Sequence, residues 1–184
     1  MRIAIIGSAG TGKTTLSHML AEKIGVPLVP EFAREILAEW GFKRLRDLDA
    51  PQMANFQREI LQRKLYLEAR YDSFVSDRST ADSAVYWLLR LVGRVASDET
   101  SYHMEKCRIA LDRYDALVLL PWKGNAIERD GIRDTDPWQQ FLFEIALRGL
   151  LAVWEREYYL VRCTTHHERL AEITERVYKN SMQR

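Results

Sequence analysis

Residues 3–14 read Ile3-Ala4-Ile5-Ile6-Gly7-Ser8-Ala9-Gly10-Thr11-Gly12-Lys13-Thr14, and the fold follows from how this stretch is read. Four apolar residues make a short strand, and Leu16, Met19, Leu20 and Ile24 then recur at helical spacing. Between them lies GxxxxGK[ST], in the strand–loop–helix setting that the pattern requires. Each residue type has a physical task. Glycines let the backbone curl so that successive N–H groups face one concave anion site. The next helix adds its partly positive N-terminus. The Lys13 ammonium can reach β- and γ-phosphates, and the Thr14 hydroxyl can ligate Mg²⁺. The stretch predicts a nucleoside triphosphate site.

Working outward, apolar segments at 26–29, 73–76, 116–120 and 158–161 read as further strands, and helical patterns lie between them. Helix starts are signalled by Asp49 with Gln52, Ser79 with Asp82, and Thr165 with Glu168. Pro30-Glu31-Phe32-Ala33-Arg34-Glu35 opens another helix with its acids early. Five strands alternating with helices predict an α/β fold of three layers, a mostly parallel sheet with helices on both faces. No repeat, low-complexity tract or linker interrupts the chain, so residues 1–184 are expected to form one domain with a lid at 123–136.

Bulk properties narrow the function. The chain has 184 residues, enough to bury a sizeable core, and a formal net charge of +1. That charge gives no general pull toward nucleic acid or an anionic membrane, so neither is an expected partner. Cys107 and Cys163 show no metal-finger spacing, and two thiols fit a reducing compartment. The longest apolar run, Ala84 to Leu89, is far short of a membrane span. The first residues enter a strand rather than a leader, and a cytoplasmic location is expected.

Ligands of such sheets lie beyond the carboxyl ends of the strands. Glu31 follows the second strand and can accept a proton from an attacking hydroxyl, or simply complement a helix N-terminus. Arg34, one turn on, can hold substrate oxygens. Asp77 follows the third strand; it can complete a Mg²⁺ site with Thr14, or cap the next helix. Arg78 can neutralise transferring charge, or form a structural ion pair. The polar stretch carrying Glu128, Arg129, Asp130, Gly131 and Arg133 reads as a lid over phosphates, or as a solvated loop. Trp122 follows a strand end where a ring can stack on substrate, whereas Tyr86, Trp87, Trp138 and Trp154 read as core. His166 and His167, at a helix start, read as surface rather than metal ligands.

Together these residues resemble the P-loop nucleoside and nucleotide kinases. The likeness is greatest to the AAA-type ATPase/kinase family that contains the nicotinamide riboside kinase domain of bifunctional NAD-biosynthesis regulators. It rests on the P-loop, on Pro30-Glu31-Phe32-Ala33-Arg34-Glu35, on Asp77-Arg78-Ser79-Thr80-Ala81-Asp82 and on Asp130-Gly131-Ile132-Arg133. The Asp77-Arg78-Ser79 stretch is also similar to an element of deoxynucleoside kinases. No nucleotidyltransferase domain precedes the P-loop, so the likeness extends to the kinase half of such regulators.

The resemblance implies an ATP- and Mg²⁺-dependent kinase acting on a small nucleoside-like molecule, nicotinamide riboside being the first guess. ATP is then expected on Gly7, Ser8, Ala9, Gly10, Thr11, Gly12, Lys13, Thr14 and Thr15, with Arg129 over its phosphates. Thr14 and Asp77 are the expected metal ligands. Glu31, Arg34 and Trp122 are the expected substrate residues. Lys13, Glu31, Asp77, Arg78 and Arg133 are expected to act in the transfer. A deoxynucleoside or nucleoside monophosphate kinase is the alternative within the same class. A nucleotide-hydrolysing switch acting on a protein partner is the alternative outside it.

Overall fold

The computed structural model describes residues 1–122 and 136–181. The chain runs β1 (Arg2–Ile6), α1 (Lys13–Ile24), β2 (Leu28–Val29), α2 (Ala33–Glu39), a 3-10 turn (Leu45–Asp47), α3 (Ala50–Glu68) and β3 (Phe74–Asp77). It continues through α4 (Thr80–Leu91), α5 (Ser97–Leu111), β4 (Ala116–Leu119), α6 (Pro137–Val153), β5 (Tyr159–Leu160) and α7 (His166–Ser181). The five strands form one sheet in the order β2-β3-β1-β4-β5, and every pairing is parallel. Ile5 of β1 stands beside Asp77 of β3 on one side and Val118 of β4 on the other. The carboxyl ends of three neighbouring strands therefore finish together, and the turns leaving those strands meet above them.

Strand alternation assigns the layers. Ile3, Ile5, Val75 and Val118 point to one face, where Leu16 and Leu20 of α1 and Ile173 of α7 cover them. Ala4, Ile6, Leu117 and Leu119 point to the other, against Ala81 and Val85 of α4 and Phe143, Leu147 and Leu151 of α6. A third cluster, built on Val29, Phe56, Phe74 and Trp87, fixes α2 and α3 beyond the β3 side of the sheet. Both faces being covered, β4 is a continuous apolar run, as the sequence pattern required, whereas β3 ends on Ser76 and Asp77.

The three expected helix starts are capping boxes, Thr165 and Glu168 bonding each other's N–H groups at 3.2 and 3.3 Å. Asp49 Oδ1 accepts from the Gln52 N–H at 2.7 Å, while Gln52 Oε1 accepts from the Asp49 N–H at 2.9 Å. Ser79 and Asp82 do the same for α4. The expected helix at Pro30 differs: α2 begins at Ala33 and its first-turn acid is Glu35, so Glu31 lies in the turn before the helix. Trp87 is core, and Tyr86 and Trp154 are half-buried. Trp138 is not core. The inward face of α6 is already filled by Phe143, Leu147 and Leu151, which turns the ring of Trp138 outward. Cys107 is buried and not joined to Cys163. No helix among the described residues is long and apolar enough to cross a membrane.

Leu147→Ala, at a wholly buried position, should cost about 2–5 kcal/mol through its cavity. Asp49→Ala, which opens a cap, should cost about 1 kcal/mol. Urea unfolding of both variants checks the ratio.

Candidate active site

The phosphate loop follows β1 directly. Gly7 has φ 129°, and a Cβ there would meet the Leu120 carbonyl oxygen at 2.6 Å, so only glycine lets the loop leave the sheet beside β4. Gly12 has φ 88° and forms the N-terminus of α1 without any side-chain cap. The first N–H groups of α1 thus have no capping side chain, unlike those of α3 and α4, and they suit an anion from outside the chain. Thr14 and Thr15, at the start of α1, are exposed.

Several contacts hold the loop open. The Arg169 guanidinium of α7 donates to the Thr11 carbonyl at 2.9 Å and to the Cys163 carbonyl at 3.1 Å. The Ala9 N–H donates to Gln140 Oε1 of α6 at 2.9 Å. The Lys13 ammonium is buried and donates to the Ser8 carbonyl. Burial above all, then the nearby Arg78 guanidinium, pushes Lys13 down to about 7, against the pull of Asp77, Asp82 and Glu31.

The end of β3 closes the other side. Asp77 Oδ2 accepts from the Thr14 hydroxyl at 2.6 Å. Asp77 does not cap α4: the Ser79 hydroxyl accepts from the Ala81 N–H at 3.1 Å and does that work. Asp77 Oδ1 is buried and has no hydrogen-bond partner among the described residues. A buried carboxylate oxygen with nothing to pair it, beside a threonine hydroxyl at the foot of an uncapped helix, fits a hard divalent cation. No group of three or more His, Cys, Asp or Glu that could hold a metal occurs among the described residues. Mg²⁺ needs none, since it is commonly held by one or two protein ligands, phosphates and water.

Arg78 comes next and adopts φ 73°, a left-handed conformation unusual for a residue with a Cβ. Its guanidinium lies 3.3 Å from Glu31 and 3.7 Å from Asp82, and donates to the Gly7 carbonyl at 3.3 Å. It also lies 5.2 Å from the centre of the Tyr86 ring. Burial opposes its charge, but Tyr86 and the carboxylates of Glu31, Asp82 and Asp77 outweigh that and raise its pKa. Asp82 does more than complete a cap. Its Oδ1 accepts from the Gly7 N–H at 3.2 Å and its Oδ2 from the Ser79 N–H at 2.8 Å, which ties the two strand ends together.

Beneath them lies a group that no local pattern announced. The buried Lys64 ammonium of α3 donates to Ser76 Oγ at 2.6 Å, the Asp77 carbonyl at 3.1 Å and the Arg78 carbonyl at 2.9 Å. Glu68, one turn on, lies 3.8 Å from that ammonium and accepts from the Tyr114 hydroxyl at 2.6 Å. Desolvation lowers the Lys64 pKa, and Glu68 opposes the shift. Lys64 holds the backbone at the strained Arg78 from below.

A small cleft of about 20 Å³ opens beside this cluster, lined by Glu31, Phe32, Gln57, Lys64, Arg78 and Tyr86 among others. The structure thus brings Lys13, Thr14, Glu31, Asp77 and Arg78 to one place. Arg34 is exposed on α2 and does not line the pocket. Trp122 packs 5.2 Å from the Phe141 ring and 6.5 Å from the Trp138 ring, away from the pocket lining. Arg129, Arg133 and the expected lid at 123–136, save its last residue Asp136, lie outside the described residues. Gln57, Lys64, Gln140 and Arg169 were not expected at the site, because each arrives from a distant helix. His167 is exposed, but His166 is half-buried, with Nε2 2.7 Å from where a Cβ on Gly12 would stand.

The chain belongs to the AAA domain family, whose family model matches residues 2–169. Among solved structures it is similar to a NadR protein in complex with NR, with 22% identity and a TM-score of 0.70 over 95% of this chain and 50% of that one. A deoxyadenosine kinase from M. mycoides, with dCMP and dCDP, gives 15% identity and a TM-score of 0.72 over 97% of this chain and 100% of that one. A shikimate kinase from Aquifex aeolicus gives 17% identity and a TM-score of 0.55 over 99% of each chain. The chain spans about half the length of the NadR protein it matches. These likenesses are likenesses of fold. No match was found among curated protein sequences.

Two outcomes are expected. Above about pH 7 the unliganded Lys13 is largely neutral, and a polyanion favours its charged form. Triphosphate binding at about pH 8.5 should therefore take up a proton, and affinity should fall by up to about tenfold per pH unit above neutrality. Titration calorimetry in buffers of different ionisation enthalpy measures the uptake, and Lys13→Met should abolish it. Lys64→Met leaves Glu68 buried without its cation and should cost about 3–5 kcal/mol. Adding Glu68→Leu should restore part of that in a double-mutant cycle read by urea unfolding.

Proposed function

We propose that this member of the AAA domain family is an ATP- and Mg²⁺-dependent kinase. Its acceptor would be a hydroxyl of a small nucleoside-like molecule, with nicotinamide riboside the first to try. The observation that carries the reading is the pocket beside the phosphate loop, with Glu31 and Arg78 on its wall and Thr14 and Asp77 close by. Here a narrow cleft adjoins the loop, with a carboxylate for a hydroxyl and an aromatic ring and a buried amide for a planar ring system. The similar NadR protein in complex with NR and the deoxyadenosine kinase support this class of acceptor.

In the proposed reaction the α1 N-terminus and Lys13 hold the β- and γ-phosphates of ATP. Thr14 and Asp77 would hold Mg²⁺, which supplies neutralisation of phosphate charge when bound. Glu31 orients the acceptor hydroxyl. Its oxygen forms a bond to the γ-phosphorus while the bond to the β–γ bridging oxygen breaks, ADP departs, and the hydroxyl proton passes to Glu31. Arg78, paired to Glu31 before substrate arrives, can swing its charge toward the transferring group. Arg129 and Arg133 are proposed to close over the phosphates, a role that rests on the sequence.

The test is a panel of nucleosides, deoxynucleosides and nucleoside monophosphates with ATP and Mg²⁺, run on the native chain and two variants. Glu31→Gln should lower acceptor phosphorylation about 10²–10⁴-fold while leaving ATP affinity unchanged. Asp77→Asn should lower the rate with partial recovery at higher Mg²⁺. If no acceptor is turned over and Glu31→Gln instead slows bare ATP hydrolysis, the nucleotide-hydrolysing switch replaces the kinase.

A further inference from the structure

Lys64 is a buried cation beneath the place that the proposed reading gives to a second cation, the metal. Its ammonium donates to Ser76 Oγ at 2.6 Å, the Asp77 carbonyl at 3.1 Å and the Arg78 carbonyl at 2.9 Å. An ammonium has three N–H bonds, and these three oxygens use them all. Lys64 lines the cleft, yet it keeps no donor for a molecule bound there. Its pairing with Glu68 does not account for it either. Glu68 lies 3.8 Å away and accepts instead from the Tyr114 hydroxyl at 2.6 Å. A buried ion pair is commonly no more stable than apolar side chains packed in its place. The three oxygens belong to consecutive residues, and the role of Lys64 lies in what those residues do.

Arg78 has φ 73°, a state that a residue with a Cβ keeps only when its surroundings impose it. Lys64 grips the peptides on both sides of it, through the Asp77 carbonyl before and the Arg78 carbonyl after. The Ser76 hydroxyl has one proton to give, with the Arg78 carbonyl at 2.8 Å and Glu68 Oε1 at 3.1 Å. Lys64 is therefore the constant donor to this turn. Beyond the turn, the Ser79 N–H is anchored on Asp82 Oδ2 at 2.8 Å. If Arg78 relaxed to the right-handed region, the adjustment would fall on the end of β3, where Asp77 stands. With the turn held, Asp77 Oδ2 meets the Thr14 hydroxyl at 2.6 Å, and Oδ1 stays buried without a partner among the described residues.

We infer that Lys64 is the positioning residue of the divalent-cation site: by holding residues 76–78 it aims the Asp77 carboxylate at a metal beside Thr14. The inference rests on the metal reading of Thr14 and Asp77, and not on which hydroxyl is phosphorylated. Coulomb's law makes it decidable. Removing a neighbouring cation should, by charge alone, strengthen the binding of a divalent cation. Loss of positioning should weaken it. The two effects have opposite sign.

Calorimetric affinity of the full chain for AMP-PNP, taken with Mg²⁺ and again with EDTA, gives a ratio that isolates the metal contact. Lys64→Met should lower that ratio at least about tenfold, the usual loss when a group behind a metal ligand is removed, with little change in EDTA. A second variant combines Lys64→Met with Glu68→Leu and Tyr114→Phe, which removes the buried polar set without changing net charge. It should keep the native circular dichroism and show the same loss. Ser76→Ala, a lighter change, should lower the ratio about threefold. A ratio unchanged or raised in a folded Lys64 variant overturns the inference; where neither Lys64 variant folds, an unchanged ratio in Ser76→Ala does so. Equal losses with Mg²⁺ and with EDTA also overturn it, because they mark general damage to the phosphate loop. Asp77→Asn runs beside them. If it leaves the ratio unchanged, the metal reading itself fails and takes the inference with it.

Discussion

The site depends on one buried carboxylate, that of Asp82. With one oxygen it accepts the Gly7 N–H, where β1 turns into the phosphate loop, and with the other the Ser79 N–H, where β3 turns into α4. The two turns can share a carboxylate because β1 and β3 are neighbours in register, with Ile5 beside Asp77. That adjacency is a property of the strand order β2-β3-β1-β4-β5. Once Gly7 and Ser79 are tied, Thr14 on one turn and Asp77 on the other are brought within hydrogen-bond reach.

The charges around this tie are nearly matched yet not relaxed. Lys13, Lys64 and Arg78 are buried cations, set against Asp77, Asp82, Glu68 and the half-buried Glu31. For both lysines desolvation outweighs the carboxylates, and both pKa values fall. For Arg78 the neighbours outweigh desolvation. The difference has a function on the proposed reading. A lysine lowered to about 7 gains most from an anion, whereas Arg78, already paired, changes partner rather than protonation state.

Much of this was legible in the sequence. The phosphate loop announces itself because its chemistry is local: eight consecutive residues specify a turn, a helix start and a cation. The parallel sheet was legible because five strand segments alternate with helical patterns. The caps at Asp49 and Ser79 were legible because their partners lie three residues away. The interactions that were not legible act across the chain. Lys64 sits in a helical pattern as an ordinary polar residue, and only folding carries its ammonium beneath Arg78. Gln140, Arg169 and His166 reach the loop from α6 and α7 in the same way. Trp138 misled for another reason: α6 is apolar on both sides, and periodicity cannot say which side the sheet will take.

Of the two readings of Asp77, cap and metal ligand, the geometry removes the cap. A capping aspartate spends its oxygens on the N–H groups of the helix it starts. Here Ser79 makes that bond, Asp82 completes the box, and Asp77 is left with one oxygen on Thr14 and one with no partner among the described residues. An unpaired carboxylate oxygen in a buried place is costly unless something outside the chain satisfies it. The left-handed turn at Arg78 adds to that cost, and Lys64 is needed beneath it to keep the backbone there. On the proposed reading, strain and an unmet acceptor, held at adjacent residues by a buried lysine, are the cost of an arrangement built to take a ligand.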